Sequence, residues 1–369
     1  MKLLVTGSEG FIGKNLCAHI EAAALGEILR FDKDTAPAML DDYAGACDFV
    51  FHLAGVNRPQ DESGFEENVS FTERLAQSLE RQGRNVPVLM SSSAQARLDN
   101  PYGRSKKRAE AVVFAYAART GARAYVYRLP GVFGKWCAPN YNSVVATFCH
   151  NAARGLPLRV NDPDTVIELA YIDDVLAAFL GALNGRVEQP AEYCLVPVTH
   201  HVSVGRLAEM IGAFGARQSL YVPDMGDALI RKLYSTYLSY LPEDELTQPL
   251  VTHRDTRGLF AECVKSTAGG QVSVNTARPG VAKGGHWHHT KTEKFIVVSG
   301  EGLVRLKKLG ADKTLEYPVS AAQPEAVTIP PGYIHEVVNT GADEMVMLIW
   351  CSEVFDPQRP DTYAAKMDD

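Results

Sequence analysis

Hydrophobic and polar positions alternate along the chain in two distinct textures. The run Leu3-Leu4-Val5 ends in the glycine-punctuated Gly7-Ser8-Glu9-Gly10-Phe11-Ile12-Gly13, after which Leu16, Ile20 and Ala24 recur at helical spacing. That order predicts a strand, a tight turn and a helix. Further apolar runs at 27–32, 48–55, 86–90 and 124–128 predict more strands, and the stretches 64–82 and 102–120 between them read as helices. Strands alternating with helices imply a parallel sheet covered on both faces, an α/β doubly wound (Rossmann-type) dinucleotide fold. Beyond about residue 230 the texture changes. Short β-patterned runs at 271–275, 294–299, 302–306 and 344–350 are punctuated by glycine and proline, which predicts an all-β sandwich or barrel. The change sets a boundary near 243–250, dividing the chain into 1–245 and 246–369.

Composition narrows the classes. With 369 residues, 46% hydrophobic and 22% charged, the chain has enough apolar material for two folded units and too much for disorder. Its net charge of −7 gives no electrostatic footprint for nucleic acid. No 18-residue apolar run and no apolar leader occur, so neither membrane insertion nor secretion is expected. Seven scattered cysteines without CxxC spacing fit neither a disulfide framework nor a thiolate zinc cluster. A reducing, cytoplasmic setting follows.

The N-terminal half carries the signals of hydride chemistry. Gly7-x-x-Gly10-x-x-Gly13 lies between a strand and a helix, where missing Cβ atoms allow a sharp turn and let helix amides approach a pyrophosphate. Tyr102 and Lys106 stand one helical turn apart, downstream of Ser91-Ser92-Ser93 at the end of an apolar strand. A free phenol titrates near ~10, and a neighbouring ammonium and cofactor charge are expected to lower it into the range of a proton donor. Asp32, at the end of the second strand, suits ribose hydroxyls and hence NADH, whereas Lys33 and Arg30 suit the extra phosphate of NADPH.

The C-terminal half carries a metal-like pattern. Its spacing is Gly280-x5-His286-x-His288-x4-Glu293-x6-Gly300, then Pro330-x-Gly332-x2-His335-x3-Asn339. Strand residues i and i+2 share a face, so His286 and His288 can grip one ion while Glu293 and His335 arrive from neighbouring strands. Such nitrogen and oxygen donors suit zinc or another divalent transition metal rather than calcium. The ion serves either catalysis or the tying of strands. Lys283, His289 and Tyr333 stand beside the ligand positions as candidate bases.

Residues 1–240 resemble the extended short-chain dehydrogenase/reductase superfamily, through the glycine turn, His52-Leu53-Ala54-Gly55, the serine run, Tyr102/Lys106 and Tyr171-Ile-Asp-Asp174. The resemblance implies that Gly7, Gly10, Phe11, Ile12, Gly13, Leu53, Ala54 and Gly55 bind the dinucleotide. It further implies that Ser93 polarises a carbonyl, Tyr102 donates a proton, and Lys106 holds the ribose and tunes Tyr102. Family usage implies NADPH. Two departures are visible: the serine run and Tyr102 are unusually close, which leaves Ser91, Ser92 and Ser93 as alternatives, and Gly131 stands where an asparagine is expected. The histidine pattern is similar to that of the cupin family, apart from Pro324 in place of a glycine, and Asp255-Thr-Arg257-Gly258-Leu-Phe260 resembles a segment of deoxysugar-nucleotide 3,5-epimerases.

The whole chain resembles the bifunctional capsular-polysaccharide UDP-sugar C3-epimerase/C4-reductase family. Carrying that likeness are His52 to Pro59, Asn100 to Lys106, Phe133 to Cys137, Asn140 to Ser143, Tyr234 to Pro242 and Lys283 to His289. It implies epimerisation of a UDP-2-acetamido-2,6-dideoxy-hexos-4-ulose in a C-terminal cupin barrel, followed by NAD(P)H reduction at C4; the alternative is a 4-keto sugar-nucleotide reductase alone, with the cupin a structural dimerisation module. The implied product is of the UDP-N-acetyl-6-deoxy-L-talosamine type, on the route to UDP-N-acetyl-L-fucosamine. Zinc, a homodimer, and sugar-nucleotide contacts from Asn140, Asn142 and Arg257 are also implied.

Overall fold

The structure, a computed structural model, describes residues 1–189, 191–216, 220–246, 250–266 and 268–367. Of the expected boundary at 243–250, residues 247–249 lie outside the described residues. The chain divides into two compact units, Met1–Ala213 with Lys232–Leu241, and Phe214–Arg231 with Pro242–Asp369.

In the first unit the elements are β1 (Lys2–Thr6), α1 (Phe11–Ala22), β2 (Glu27–Phe31), α2 (Met39–Ala46), β3 (Phe49–His52), α3 (Glu67–Arg81), β4 (Val88–Ser93), α4 (Pro101–Thr120) and β5 (Ala124–Leu129). They continue with β6 (Gly131–Phe133), α5 (Val144–Ala152), β7 (Val166–Tyr171), α6 (Ile172–Leu183) and β8 (His200–Ser203). Two further helices are α7 (Val204–Ala216), which belongs to this unit up to Ala213, and α8 (Ala228–Leu238), which belongs to it from Lys232. The main sheet is parallel in the order β2-β1-β3-β4-β5. Pleating explains its two cores: Leu3, Val5, Phe49 and Phe51 pack with Leu16, Ile20 and Phe179, while Leu4 and Val50 face Leu75, Leu79 and Val113. A parallel sheet buried on both faces needs apolar residues at every strand position, which is why these strands read as continuous apolar runs. Because the chain leaves β1 for β2 and then returns to β3 on the other side, the carboxyl ends of β1 and β3 form a topological switch point.

The second unit holds β9 (Thr252–Asp255), β10 (Gly258–Ser266), β11 (Gly270–Ala277), β12 (Ala282–Trp287), β13 (Glu293–Ser299) and β14 (Glu301–Lys308). It closes with β15 (Thr314–Ser320), β16 (Ala326–Ile329), β17 (Tyr333–Asn339), β18 (Met345–Cys351) and β19 (Tyr363–Ala364). They form two antiparallel sheets, β16-β13-β18-β11-β10-β9 and β15-β14-β17-β12-β19, around Phe295, Val297, Val304, Leu306, Val337, Met345 and Met347. The α/β plus all-β class expected from sequence is the one observed. A departure lies in 214–231, which joins the second unit: Val222 N–H donates to the Lys265 carbonyl and Lys265 N–H to that of Leu220, each at 2.7 Å. The serine run closes β4, as expected for the end of an apolar strand, and Ser91 and Ser92 find polar partners in the interior.

Candidate active sites and metal centre

The glycine turn is dictated by close backbone approach. Gly7 has φ +71°, and a Cβ there would lie 2.8 Å from the Ala54 nitrogen; one on Gly13 would lie 2.1 Å from the Gly7 carbonyl oxygen. No other residue fits either place. Gly10 begins α1 in extended conformation with no side-chain cap. The first-turn amides of Phe11 and Ile12 are thereby left to an anion. A groove of about 590 Å³ at the switch point is lined by Gly7, Gly10, Asp32, Lys33, Leu53, Ala54 and Gly55, together with Asn68, Phe71 and Arg74.

The Asp32 carboxylate is turned back onto the glycine loop. One oxygen accepts from the Ser8 hydroxyl and, at 3.0 Å, from Glu9 N–H, while the Asp32 N–H donates to Thr35 Oγ1. Two cations share the groove: Lys33, and Arg74, which is paired with Glu67 at 2.6 Å and lies over the Phe71 ring.

At the head of α4 the hydrogen-bond pattern separates the three serines. Ser92 is bonded to Glu110, itself held by Arg128 at 2.6 Å, so it belongs to a buried network. Ser91 offers its carbonyl to Lys106 Nζ at 2.9 Å. Ser93 Oγ accepts from Gln95 N–H and is hydrogen-bonded to the Tyr102 phenol. Asn100 caps α4 by accepting from Gly103 N–H at 2.7 Å, and a Cβ on Gly103 would strike the Gln95 carbonyl oxygen at 2.3 Å. That close approach seats Tyr102 beside Ser93. Lys106 is fully buried, and burial lowers its ammonium to about 8 against the pull of Glu110. Sequence reasoning expects a lowered Tyr102. In the protein alone, burial raises the phenol instead, with the Ser93 hydrogen bond as the opposing influence.

Asn68 has no motif to announce it, yet it holds the loop after β3. Its side chain accepts from Val56 N–H at 2.7 Å and donates to the Val56 carbonyl and to Ser105 Oγ. His52 is a structural residue of the interior, bonded to Thr6 and Thr72, with burial lowering it to about 3. Asn140 and Asn142 sit exposed on the loop before α5, Asn140 with φ +57° and its N–H donating to Thr147 Oγ1. Neither is among the described residues lining the groove.

In the second unit the ligand atoms of His286, His288, Glu293 and His335 lie within 4.8 Å of one another. His286 and His335 are register partners across β12 and β17, with ring centroids 4.5 Å apart; Glu293 opens β13. Glu293 Oε2 is 3.3 Å from His288 Nε2 and 3.2 Å from His335 Nε2. Burial would raise its carboxyl, but the two imidazoles facing it outweigh burial and hold it well below the usual carboxylate range. Each imidazole is oriented from behind: His288 Nδ1 is 2.5 Å from the Asp361 carbonyl oxygen, and His335 Nδ1 is 3.2 Å from that of Tyr333. The lone pairs therefore fall on the inward Nε2 atoms, which are buried without a hydrogen-bond partner. Burial lowers His286 to about 4, so it is neutral and able to ligate at ordinary pH. Three imidazoles and one carboxylate fit a divalent transition metal.

A cavity of about 450 Å³ opens over these ligands, lined also by His253, Phe260, Glu262, Asn275 and Lys283. Lys283 Nζ donates to Asn275 Oδ1 at 2.7 Å, and burial lowers it. His289 and Tyr333 are not among the described lining residues; the His289 ring packs on Trp287 and Tyr363 at 4.5 and 4.9 Å. Arg257 is exposed and folded onto Asp255 at 2.6 Å, also outside the lining. His253 and Glu262, which do line it, stand on either side of the Asp-x-Arg-Gly segment; neither stands at a metal spacing, so nothing in the sequence assigns them to a cavity wall.

Comparison with known proteins places this geometry in context. Residues 3–195 match the model of the NAD dependent epimerase/dehydratase family, and residues 253–363 that of the polysaccharide biosynthesis C-terminal domain. A UDP-2-acetamido-2,6-beta-L-arabino-hexul-4-ose reductase of Pseudomonas aeruginosa is 42% identical over 369 residues, covering 100% of this chain and 99% of the relative. The Bacillus subtilis spore coat polysaccharide biosynthesis protein SpsL is 28% identical over 130 residues, 32% of this chain and 86% of its own. Among solved structures, the capsular polysaccharide assembling protein CapF from Staphylococcus aureus superposes with a TM-score of 0.92 at 41% identity, covering 99% of this chain and 100% of that one. Among the described residues no helix is long and apolar enough to cross a membrane.

Proposed function

Since this chain belongs to the NAD dependent epimerase/dehydratase family, joined to a polysaccharide biosynthesis C-terminal domain, we propose that it is an NAD(P)H-dependent UDP-4-keto-sugar reductase of capsule or O-antigen synthesis that also epimerises C3. Residues 1–245 form the reductase domain in this reading, and 246–369 a cupin domain. The substrate is UDP-2-acetamido-2,6-dideoxy-hexos-4-ulose and the product is of the UDP-N-acetyl-6-deoxy-L-talosamine type, on the UDP-N-acetyl-L-fucosamine route. The enzyme acts in the cytoplasm as a homodimer, on a nucleotide sugar rather than nucleic acid. One observation carries the reading: the reductase couple Ser93–Tyr102 and the imidazole–carboxylate cluster occur in two separate units of one chain.

The substrate ketone links the two. Its carbonyl acidifies the hydrogen on C3, so a base can remove it and a proton can return to the opposite face of the enolate. Lys283, half-buried on the cavity wall and lowered by burial, is the favoured base over His289, which stands outside that wall. His286, His288, Glu293 and His335 would hold a divalent cation, which would supply a Lewis acid for the developing oxyanion. Reduction at C4 abolishes the acidity, so epimerisation precedes it. Reduced nicotinamide dinucleotide supplies the hydride. Ser93 then orients the C4 carbonyl, Tyr102 gives its proton to the new alkoxide, and Lys106 binds the ribose. NADPH is the favoured form: Asp32 is engaged by Ser8 and Glu9, while Lys33 and Arg74 bring two cations to the same groove. Asn140, Asn142 and Arg257 are assigned to the sugar nucleotide.

The test is incubation with the 4-keto UDP-sugar in D₂O with and without NADPH. Deuterium is expected at C3 without NADPH, and reduced sugar only with it. A Tyr102→Phe enzyme that stays folded yet incorporates no deuterium overturns the two-site scheme.

A further inference from the structure

We infer that Asp361, near the C-terminus, is the positioning residue of the cation site, holding His288 through its carbonyl and the ligand loop through its carboxylate. The inference rests on reading His286, His288, Glu293 and His335 as a cation site. Within that reading it concerns a residue that donates no ligand and lies about seventy positions from the loop it holds.

The geometry is unusually complete. The Asp361 carbonyl oxygen takes the Nδ1–H of His288 at 2.5 Å. This fixes the tautomer that presents a lone pair at Nε2, the atom 3.3 Å from Glu293 Oε2 and lacking a hydrogen-bond partner. The carboxylate of the same residue accepts from three successive backbone amides, those of His289 at 2.9 Å, Thr290 at 3.0 Å and Lys291 at 2.9 Å, and from Thr290 Oγ1 at 3.1 Å. The turn from His289 to Lys291 is thus gathered onto one side chain. Charge-assisted bonds to backbone amides are among the stronger hydrogen bonds a carboxylate makes.

The holder is itself held. Asp361 has φ +41°, a left-handed conformation that persists in a non-glycine residue where neighbours over-determine it. Here Lys291 Nζ donates to the Pro360 carbonyl at 2.8 Å and to Thr362 Oγ1 at 3.2 Å. One residue further on, β19 pairs with β12, matching Tyr363 to Trp287 and Ala364 to His286. A chain segment bracketed on both sides by the ligand strand cannot drift without carrying His288 with it. Thr362, Phe355 and Glu353 of this C-terminal segment also line the cavity over the cluster.

The test uses the full-length protein and zinc itself. Asp361→Gly keeps the backbone carbonyl and eases the left-handed φ while deleting the carboxylate; Asp361→Asn keeps the φ preference and one acceptor oxygen. Zinc affinity by chelator competition is expected to fall about 10–100-fold in Asp361→Gly, the range for outer residues that orient ligands. It should fall less in Asp361→Asn. Absorption of the cobalt-substituted protein should shift in the glycine variant, reporting altered ligand geometry. The thermal midpoint of the metal-free protein should move less than that of the zinc-loaded one. Unchanged zinc affinity in both variants overturns the inference, as does an equal fall of both midpoints, which marks a purely structural turn. Wild-type protein that takes up no zinc or cobalt at all overturns the cation reading itself.

Discussion

The two sites differ in what completes them. Around Tyr102 the polar groups find their partners inside the protein: Ser93 with Tyr102, Lys106 with the Ser91 carbonyl, Asn68 with Val56, Asp32 with the glycine loop. Around Glu293 two imidazole nitrogens point inward with nothing to receive them. The first site is finished by folding and waits for a ligand that lies across it. In the proposed reading the second is finished by an ion placed where its donors converge. Backbone close contact shapes the one, and side-chain convergence the other.

Experiments can sharpen or break that contrast, beginning with the largest effect. His335→Ala should take the metal from about one ion per chain to near zero by elemental analysis, since three donors hold far less than four; full retention would mean the cluster is not the metal's seat. Tyr102→Phe should slow NADPH oxidation about 10²–10⁴-fold, the range for losing a positioned proton donor, while leaving metal content untouched. Lys106→Met should also abolish turnover, yet stabilise the protein without cofactor by about 1–3 kcal/mol at neutral pH, because burying the ammonium is costly. The sign follows from proton binding. Lys106 has a folded pKa of about 8, below its ordinary value, so the native state sheds its proton before the unfolded chain does. Wild-type stability gains as pH rises between about 8 and 10.5, and the variant's advantage shrinks over that window. Denaturant midpoints at the two ends check this. Least of all, Arg74→Gln should raise KM for NADPH by about tenfold and leave KM for NADH nearly alone, the effect of one partly exposed phosphate contact.

Legibility in the sequence follows the same division. The first site is written in short-range spacing, Gly7 to Gly13 and Tyr102 to Lys106, because a turn and a helix enforce their geometry locally. The four metal candidates are equally visible, since β-strand alternation and ligand chemistry constrain residue types together. What sequence reading missed acts over distance or through backbone. Asn68 holds a loop twelve residues away, Gly103 exists to let α4 touch the 95–98 turn, and His253 and Glu262 reach the cavity from strands at the sheet's far side. None of these has a spacing, since tertiary packing brings them in. The rank of Tyr102's neighbours was likewise hidden: only the interior partners of Ser91 and Ser92 reveal that Ser93 is the serine at the phenol. The segment 214–231 pairs with Lys265 although its own sequence carries little β pattern.

Gly284 and Gly285 sit where β12 slips register against β17, with φ of +117° and +74°. A Cβ at 284 would lie 2.6 Å from the His335 carbonyl oxygen, so any larger residue must pry the two strands apart and spread their imidazoles. In the proposed cation reading the bite of the ligand set, and with it the size of ion that sits comfortably, is therefore governed by Gly284, a residue that owns no donor atom.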